Sequence, residues 1–188
     1  MLDLITLENK DSQKFIKDVV MHPYKVNEDA SGVLVETLRK DWNDIYGEGR
    51  EFFQQYYSET PSNLARDEDV WHYHPTIQDD RFSVVKGEIV VAIADNRETS
   101  ETKGLLNLFY INARKDPYIV LVPRKTLHGF MVVSNESAIL INFPTGFYNP
   151  SEEGRIPYAK EQVKTPDGTL FSWDLVRKQL GLPITNDK

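Results

Sequence analysis

Apolar residues in this chain gather in short runs set apart by turn signals, and few of the runs repeat with helical spacing. Residues 82–85, the turn Lys86-Gly87-Glu88 and residues 89–94 read as two paired strands. The second strand is apolar on both faces, so it belongs inside. Residues 105–111, 118–122 (stopping at Pro123), 127–133 and 138–143 continue the series, with Ser134-Asn135-Glu136-Ser137 as the turn between the last two. Upstream, residues 33–35 read as a strand, 41–46 as a short polar helix ended by Gly47 and Gly49, 52–57 as an aromatic-rich strand and 60–69 as a polar loop. Residues 1–30 stay open between a helix carrying Phe15, Ile16, Val19 and Val20 and a strand at 19–21. Near the C-terminus, Ser172 can cap a helix whose Trp173, Val176 and Leu180 share one face, and Gly181 with Pro183 ends it. That helix is expected to lie across the outside of the sheets as a structural cover. Many short strands with minor helices define an all-β sandwich or barrel.

Length and charge narrow what such a fold can serve. At 188 residues one domain spanning 1–188 is the default, and a chain of this size buries roughly 70% of the surface its unfolded form exposes. A net charge of −7 and a pI near 5.1 argue against nucleic acid and anionic membranes as partners. They leave room for one anionic ligand held by a few local arginines. The chain has no cysteine, so neither disulfides nor thiolate metal sites are implied. Met1 to Glu8 lacks a basic leader and no apolar run reaches spanning length, so the expectation is a soluble cytoplasmic protein.

The candidate chemistry lies in Trp71-His72-Tyr73-His74-Pro75, followed by Gln78, Asp79 and Asp80. In a strand, His72 and His74 project to one side while Trp71 and Tyr73 face the other. His128 opens another predicted strand. His22, alone in a loop, reads as structural. The three clustered imidazoles suit either proton transfer near neutral pH or a metal bound by three nitrogens, with Asp79, Asp80, Gln78 or water as the fourth ligand. Arg97 reads as a charge partner of Asp95, and Arg124-Lys125 as either a cationic rim or a solvated turn.

Beyond periodicity, two spaced motifs carry a resemblance. The first is Gln78, Gly87, Asp95-Asn96-Arg97 and Ser100-Glu101-Thr102-Lys103-Gly104. The second is Val122-Pro123, His128-Gly129-Phe130-Met131-Val132-Val133-Ser134, Thr145-Gly146-Phe147-Tyr148-Asn149-Pro150 and Glu153-Gly154-Arg155-Ile156-Pro157-Tyr158. Together with Gly32, Glu36 and Phe52-Phe53-Gln54, they resemble the dTDP-4-dehydrorhamnose 3,5-epimerase family of cupins. The likeness implies a double-stranded β-helix (jelly roll) with a core at about 19–158 and a helical extension at about 159–188. It also implies a homodimer, no cofactor, and a role in building carbohydrate or polysaccharide from a nucleotide-linked 4-keto-6-deoxyhexose. By resemblance His72 is the base and Tyr148 a second catalytic residue, while Glu36, Gln54, Arg66, His74, Gln78, His128 and Asn142 bind substrate.

The chain also departs from the family pattern. Asp69 stands where an arginine is usual, Asp80 where a lysine is usual and Asn142 where the proposed acid, a tyrosine, is usual. No counterpart of the segment whose aspartate orients the base is found, and Trp173-Asp174 does not replace it. An unoriented histidine is a weaker base, and a lost acid removes the reprotonation step. His72-x-His74 further resembles sugar 3,4-ketoisomerases. The same residues also leave open a divalent-metal cupin using His72, His74 and His128, and a non-catalytic sugar binder.

Overall fold

The computed structural model describes residues 1–184. Its first seven strands are β1 (Leu4–Ile5), β2 (Val20–Pro23), β3 (Val26–Asp29), β4 (Gly32–Val35), β5 (Tyr56–Thr60), β6 (Ala65–Arg66) and β7 (Val70–Tyr73). The next seven are β8 (Asp80–Lys86), β9 (Glu88–Ala94), β10 (Leu106–Asn112), β11 (Tyr118–Val122), β12 (Leu127–Val132), β13 (Ala138–Asn142) and β14 (Gly154–Pro157). Two helices follow, α1 (Tyr158–Glu161) and α2 (Trp173–Leu180). One sheet runs β1-β10-β9-β12-β7-β14 with β6 on β12, and the other runs β2-β11-β8-β13-β5. Except for β1 on β10, every pairing in the two sheets is antiparallel, the arrangement of a jelly-roll sandwich. The β3–β4 hairpin joins neither sheet.

Why β9 is apolar throughout follows from where it lies. Ile89, Val91 and Ile93 enter the core between the sheets, packing with Phe109, Ile111, Val120, Phe82 and Leu140. Val90, Ala92 and Ala94 face outward into a second layer, which Trp173, Val176 and Phe171 cover. Helix α2 therefore shields the back of the sheet, as its apolar face requires. Gly87 makes the β8–β9 turn at φ +79°, where a Cβ would also come within 2.9 Å of Ala138. Outside the second sheet, Ile45 and Trp42 cover Tyr24, Ile119, Leu121 and Phe143.

Several local expectations are corrected. Residues 41–46 form hydrogen-bonded turns rather than a helix, Tyr46 N–H donating to the Trp42 carbonyl and the ladder stopping there. So short a segment does not repay the nucleation of a helix, and Ile45 is anchored by burial instead. The strand placed at 52–57 begins only at Tyr56 and runs to Thr60, because Phe52 and Phe53 stay exposed beyond the edge of the sheet. The loop at 60–69 contains β6, and His22 sits on β2 rather than in a loop, its ring against Trp42 and its Nδ1 2.8 Å from Asp44. The open N-terminal segment resolves toward the strand, β2. The expected extension at 159–188 contains α1's last residues and α2, its last four residues lying outside the described ones.

Candidate active site

Strand alternation builds the site. On β7, Trp71 points into the α2 layer and is almost fully buried, so His72, next along, turns into the space between the sheets. His74 follows just past the strand on the same side. On the adjoining β12, His128 stands directly opposite His72 in the register. The three rings form a triangle with centroids 4.9, 5.2 and 5.4 Å apart. They open onto a cavity of about 500 Å³, whose far wall comes from β5, β8 and β13 of the facing sheet.

Asp80 is the centre of this cluster. It opens β8, is buried, and its Oδ2 lies 3.0 Å from His74 Nε2 and 3.4 Å from His128 Nε2. Its Oδ1 accepts from Gln78 Nε2 at 2.9 Å and from Asn142 Nδ2 at 2.8 Å. Burial alone would raise this carboxyl, but the hydrogen bonds from His128 and His74 outweigh it and hold it well below the usual carboxylate range. Burial likewise works against the His74 imidazolium. The Asp80 carboxylate and the Glu152 carbonyl, 2.8 Å from Nδ1, overcome it and push His74 up to about 9.

His72 has the opposite character. Burial, then the neighbouring His128 and His74, push its imidazolium down to about 4, leaving a neutral ring at physiological pH. Its Nε2 lies 3.1 Å from a Glu153 oxygen and its Nδ1 3.7 Å from Asp67. No carboxylate to orient this histidine was visible in the sequence. Glu153 is placed to do so, because β14 pairs with β7 and sets Gly154 and Arg155 opposite Tyr73 and His72. Gly154 is required there: a Cβ would fall 2.1 Å from the Tyr73 ring.

The other candidate residues divide by position. Gln54, Arg66, Gln78, His128 and Tyr148 line the cavity, Tyr148 being largely exposed at its mouth. Gln54 also donates to the Gly146 carbonyl at 3.2 Å. Glu36 does not reach the cavity, because its carboxylate is held by Arg39 at 2.8 Å on the surface. Asn142 is fully buried behind the wall, its amide spent on Asp80, the Tyr56 hydroxyl and the Arg81 N–H. Asp79, weighed as a metal ligand, faces away and is clamped by Arg124 through contacts of 2.8 and 2.9 Å. Arg124 and Lys125 therefore form a turn outside the histidine cavity, Lys125 exposed and Arg124 tied to Asp79. Arg97 does pair with Asp95, at 2.9 Å. Arg155, Asp67, Glu153 and Tyr56 line the cavity as well; Glu153 and Arg155 fall in the second spaced motif but carried no assigned role, and nothing in the sequence marked Asp67 or Tyr56.

Two largely antiparallel sheets closing over a histidine-lined cavity define a cupin jelly roll. The chain matches the model of the family described as dTDP-4-dehydrorhamnose 3,5-epimerase over residues 13–175, and it belongs to that family, which makes it an isomerase-class enzyme of the nucleotide-sugar epimerase kind. It is 38% identical over 146 residues to a probable low-salt glycan biosynthesis epimerase of Haloferax volcanii, covering 76% of this chain and 88% of that protein. It is 30% identical over 148 residues to the spore coat polysaccharide biosynthesis protein SpsL of Bacillus subtilis, covering 78% and 88%. The crystal structure of dTDP-4-dehydrorhamnose 3,5-epimerase from Elizabethkingia anophelis superposes with a TM-score of 0.65 at 26% identity, covering 82% of this chain and 80% of that one. No described helix is long and apolar enough to cross a membrane.

Proposed function

We propose that this enzyme epimerises a dTDP-linked 4-keto-6-deoxyhexose at a carbon beside the ketone, with His72 as the base. The observation that carries the reading is the contrast within the cluster: His72 is held neutral at the cavity while Asp80 pairs with the charge on His74. A neutral imidazole with its Nε2–H toward Glu153 keeps its Nδ1 lone pair for the carbon-bound proton. The electrons left on carbon move into the C4 carbonyl, and hydrogen-bond donors lining the cavity steady the resulting enolate oxygen. At the mouth, Arg66 and Arg155 suit a diphosphate. The cavity volume is within the roughly 300–1,000 Å³ typical of small-molecule sites.

The reading includes a cytoplasmic homodimer that needs no metal. The unpaired β3–β4 hairpin exposes Val26 and Leu34, a surface suited to a second copy, and light scattering in solution tests that state. A second reading, a divalent-metal site, is favoured by one observation: ligand atoms of His72, His74 and His128 lie within 4.8 Å of one another. Against it, both His74 nitrogens are engaged, by Glu152 and by Asp80, which leaves no lone pair for a metal.

Incubation with dTDP-4-keto-6-deoxyglucose in deuterated water tests the reading. Deuterium entering C3 or C5, lost in His72→Gln, is the expected result. Migration of the ketone to C3 would make the enzyme a ketoisomerase. No exchange, with stoichiometric iron, manganese or zinc in the purified protein, would support the metal site.

A further inference from the structure

Epimerisation needs two proton-handling groups on opposite faces of one planar enolate, because a single base returns the proton to the face it came from. His72 comes from one sheet, and the second group must therefore come from the other. Among the described residues of the facing wall, those that carry an exchangeable acidic proton are Tyr56, Tyr57 and Tyr148, since Asp80 is ionised and enclosed. Tyr57 and Tyr148 are 67% and 68% exposed against 46% for Tyr56, and their hydroxyls make no hydrogen bond to another described side chain. Tyr56 differs. It lies opposite Asn142 in the β5–β13 register, and the Asn142 amide donates to its hydroxyl at 2.7 Å, fixing that oxygen in the cavity.

Resting on the epimerase reading, we propose that Tyr56 is the proton donor, reached through Asn142, the residue that stands where the family pattern has its own tyrosine. The substitution at 142 then moves the acid to the neighbouring strand rather than deleting it. Asn142 acts as the positioning residue, joining the Tyr56 oxygen to Asp80 through one amide nitrogen, at 2.7 and 2.8 Å. The partly buried setting of the hydroxyl and the Asp80 charge both raise the phenol, which keeps it protonated until the enolate forms. In the step itself, the Tyr56 O–H bond breaks and its proton goes to carbon on the face opposite His72. The enolate electrons return to the carbon–oxygen double bond, and the tyrosinate recovers a proton from water as the His72 imidazolium releases one. No oxidant or reductant is involved.

The test separates exchange from inversion, using dTDP-4-keto-6-deoxyglucose in deuterated water. Tyr56→Phe is expected to keep washing deuterium into recovered, uninverted sugar within about threefold of wild type while inverted product falls about 10²–10³-fold. His72→Gln loses both. Inverted product at the wild-type rate in Tyr56→Phe, or an equal loss of exchange and product in a variant with native circular dichroism, overturns the proposal. So does the same split appearing in Tyr148→Phe instead. Failure of the wild type to exchange at all sinks the epimerase reading itself, which is a different result. Should Tyr56→Phe fold poorly, difluorotyrosine at position 56 keeps the shape and lowers the phenol's pKa. The alkaline limb of inversion must then move to lower pH, and an unmoved limb counts against Tyr56.

Discussion

Asp80 and Asp95 are both buried, and both are held below the ordinary carboxylate range, yet they do different work. Asp95 is surrounded by groups that never titrate near neutrality: Arg97 at 2.9 and 3.0 Å, Ser100 at 2.5 Å and Thr102 at 2.6 Å. Its bonds knit the loop after β9, and Arg97 carries the tie onward to Asp18 and the Lys17 carbonyl. Asp80 instead meets two imidazoles at the floor of a cavity. A perturbed carboxylate becomes a functional clue only when its partners can themselves exchange protons and when a ligand can reach them.

Removing the base makes the largest difference between the two regions. His72→Gln should lower deuterium exchange by about 10²–10⁴-fold, whereas Arg97→Gln should leave the rate per folded molecule within about twofold. Comparable catalytic losses in both variants would dissolve the distinction. Next comes the carboxylate itself: Asp80→Ala strands the His74 charge in a buried site and should cost about 3–5 kcal/mol of stability, read by urea unfolding. It should also abolish turnover. Asp95→Asn, which keeps shape and some bonding, should cost about 1–3 kcal/mol with an unchanged pH–rate profile. A shifted profile in that variant would show that the loop speaks to the cavity.

The sandwich and half of the site were legible because they depend on local alternation. The period of two placed His72 and His74 on one side and Trp71 on the other, and the solid apolar run at β9 announced a strand covered on both faces. Residues supplied by pairing distant strands were not legible. Glu153 reaches His72 only because β14 lies beside β7, some 80 residues away in sequence, a register that no local pattern encodes. Asp80 read as a lysine lost, since its meaning depends on Asn142 and His128 arriving from two other strands. Tyr56 was missed for the same reason: its hydroxyl is singled out only by Asn142, which lies opposite it in the β5–β13 register.

The smallest expected effect is a bell in stability against pH, and it distinguishes the cavity cluster from the Asp95 loop most finely. His72 is pushed down to about 4, so below about 6.5 the unfolded chain binds a proton that the folded protein refuses, and stability falls as pH drops from 6.5 toward 4. His74 is pushed up to about 9, so its contribution is complete below about 6.5 and is lost as pH rises toward 9. Asp80 and Asp95, both depressed, withdraw their contributions only in stronger acid, below about 4. The maximum should therefore lie near pH 6.5, with a loss of about 1–2 kcal/mol by pH 8.5 measured by urea unfolding. His74→Gln should flatten the alkaline side and leave the acid side in place, while Asp95→Asn should leave the alkaline side untouched. An alkaline decline that survives in His74→Gln would mean that His74 is not the charged partner of Asp80, and the division of labour between His72 and His74 would fail with it.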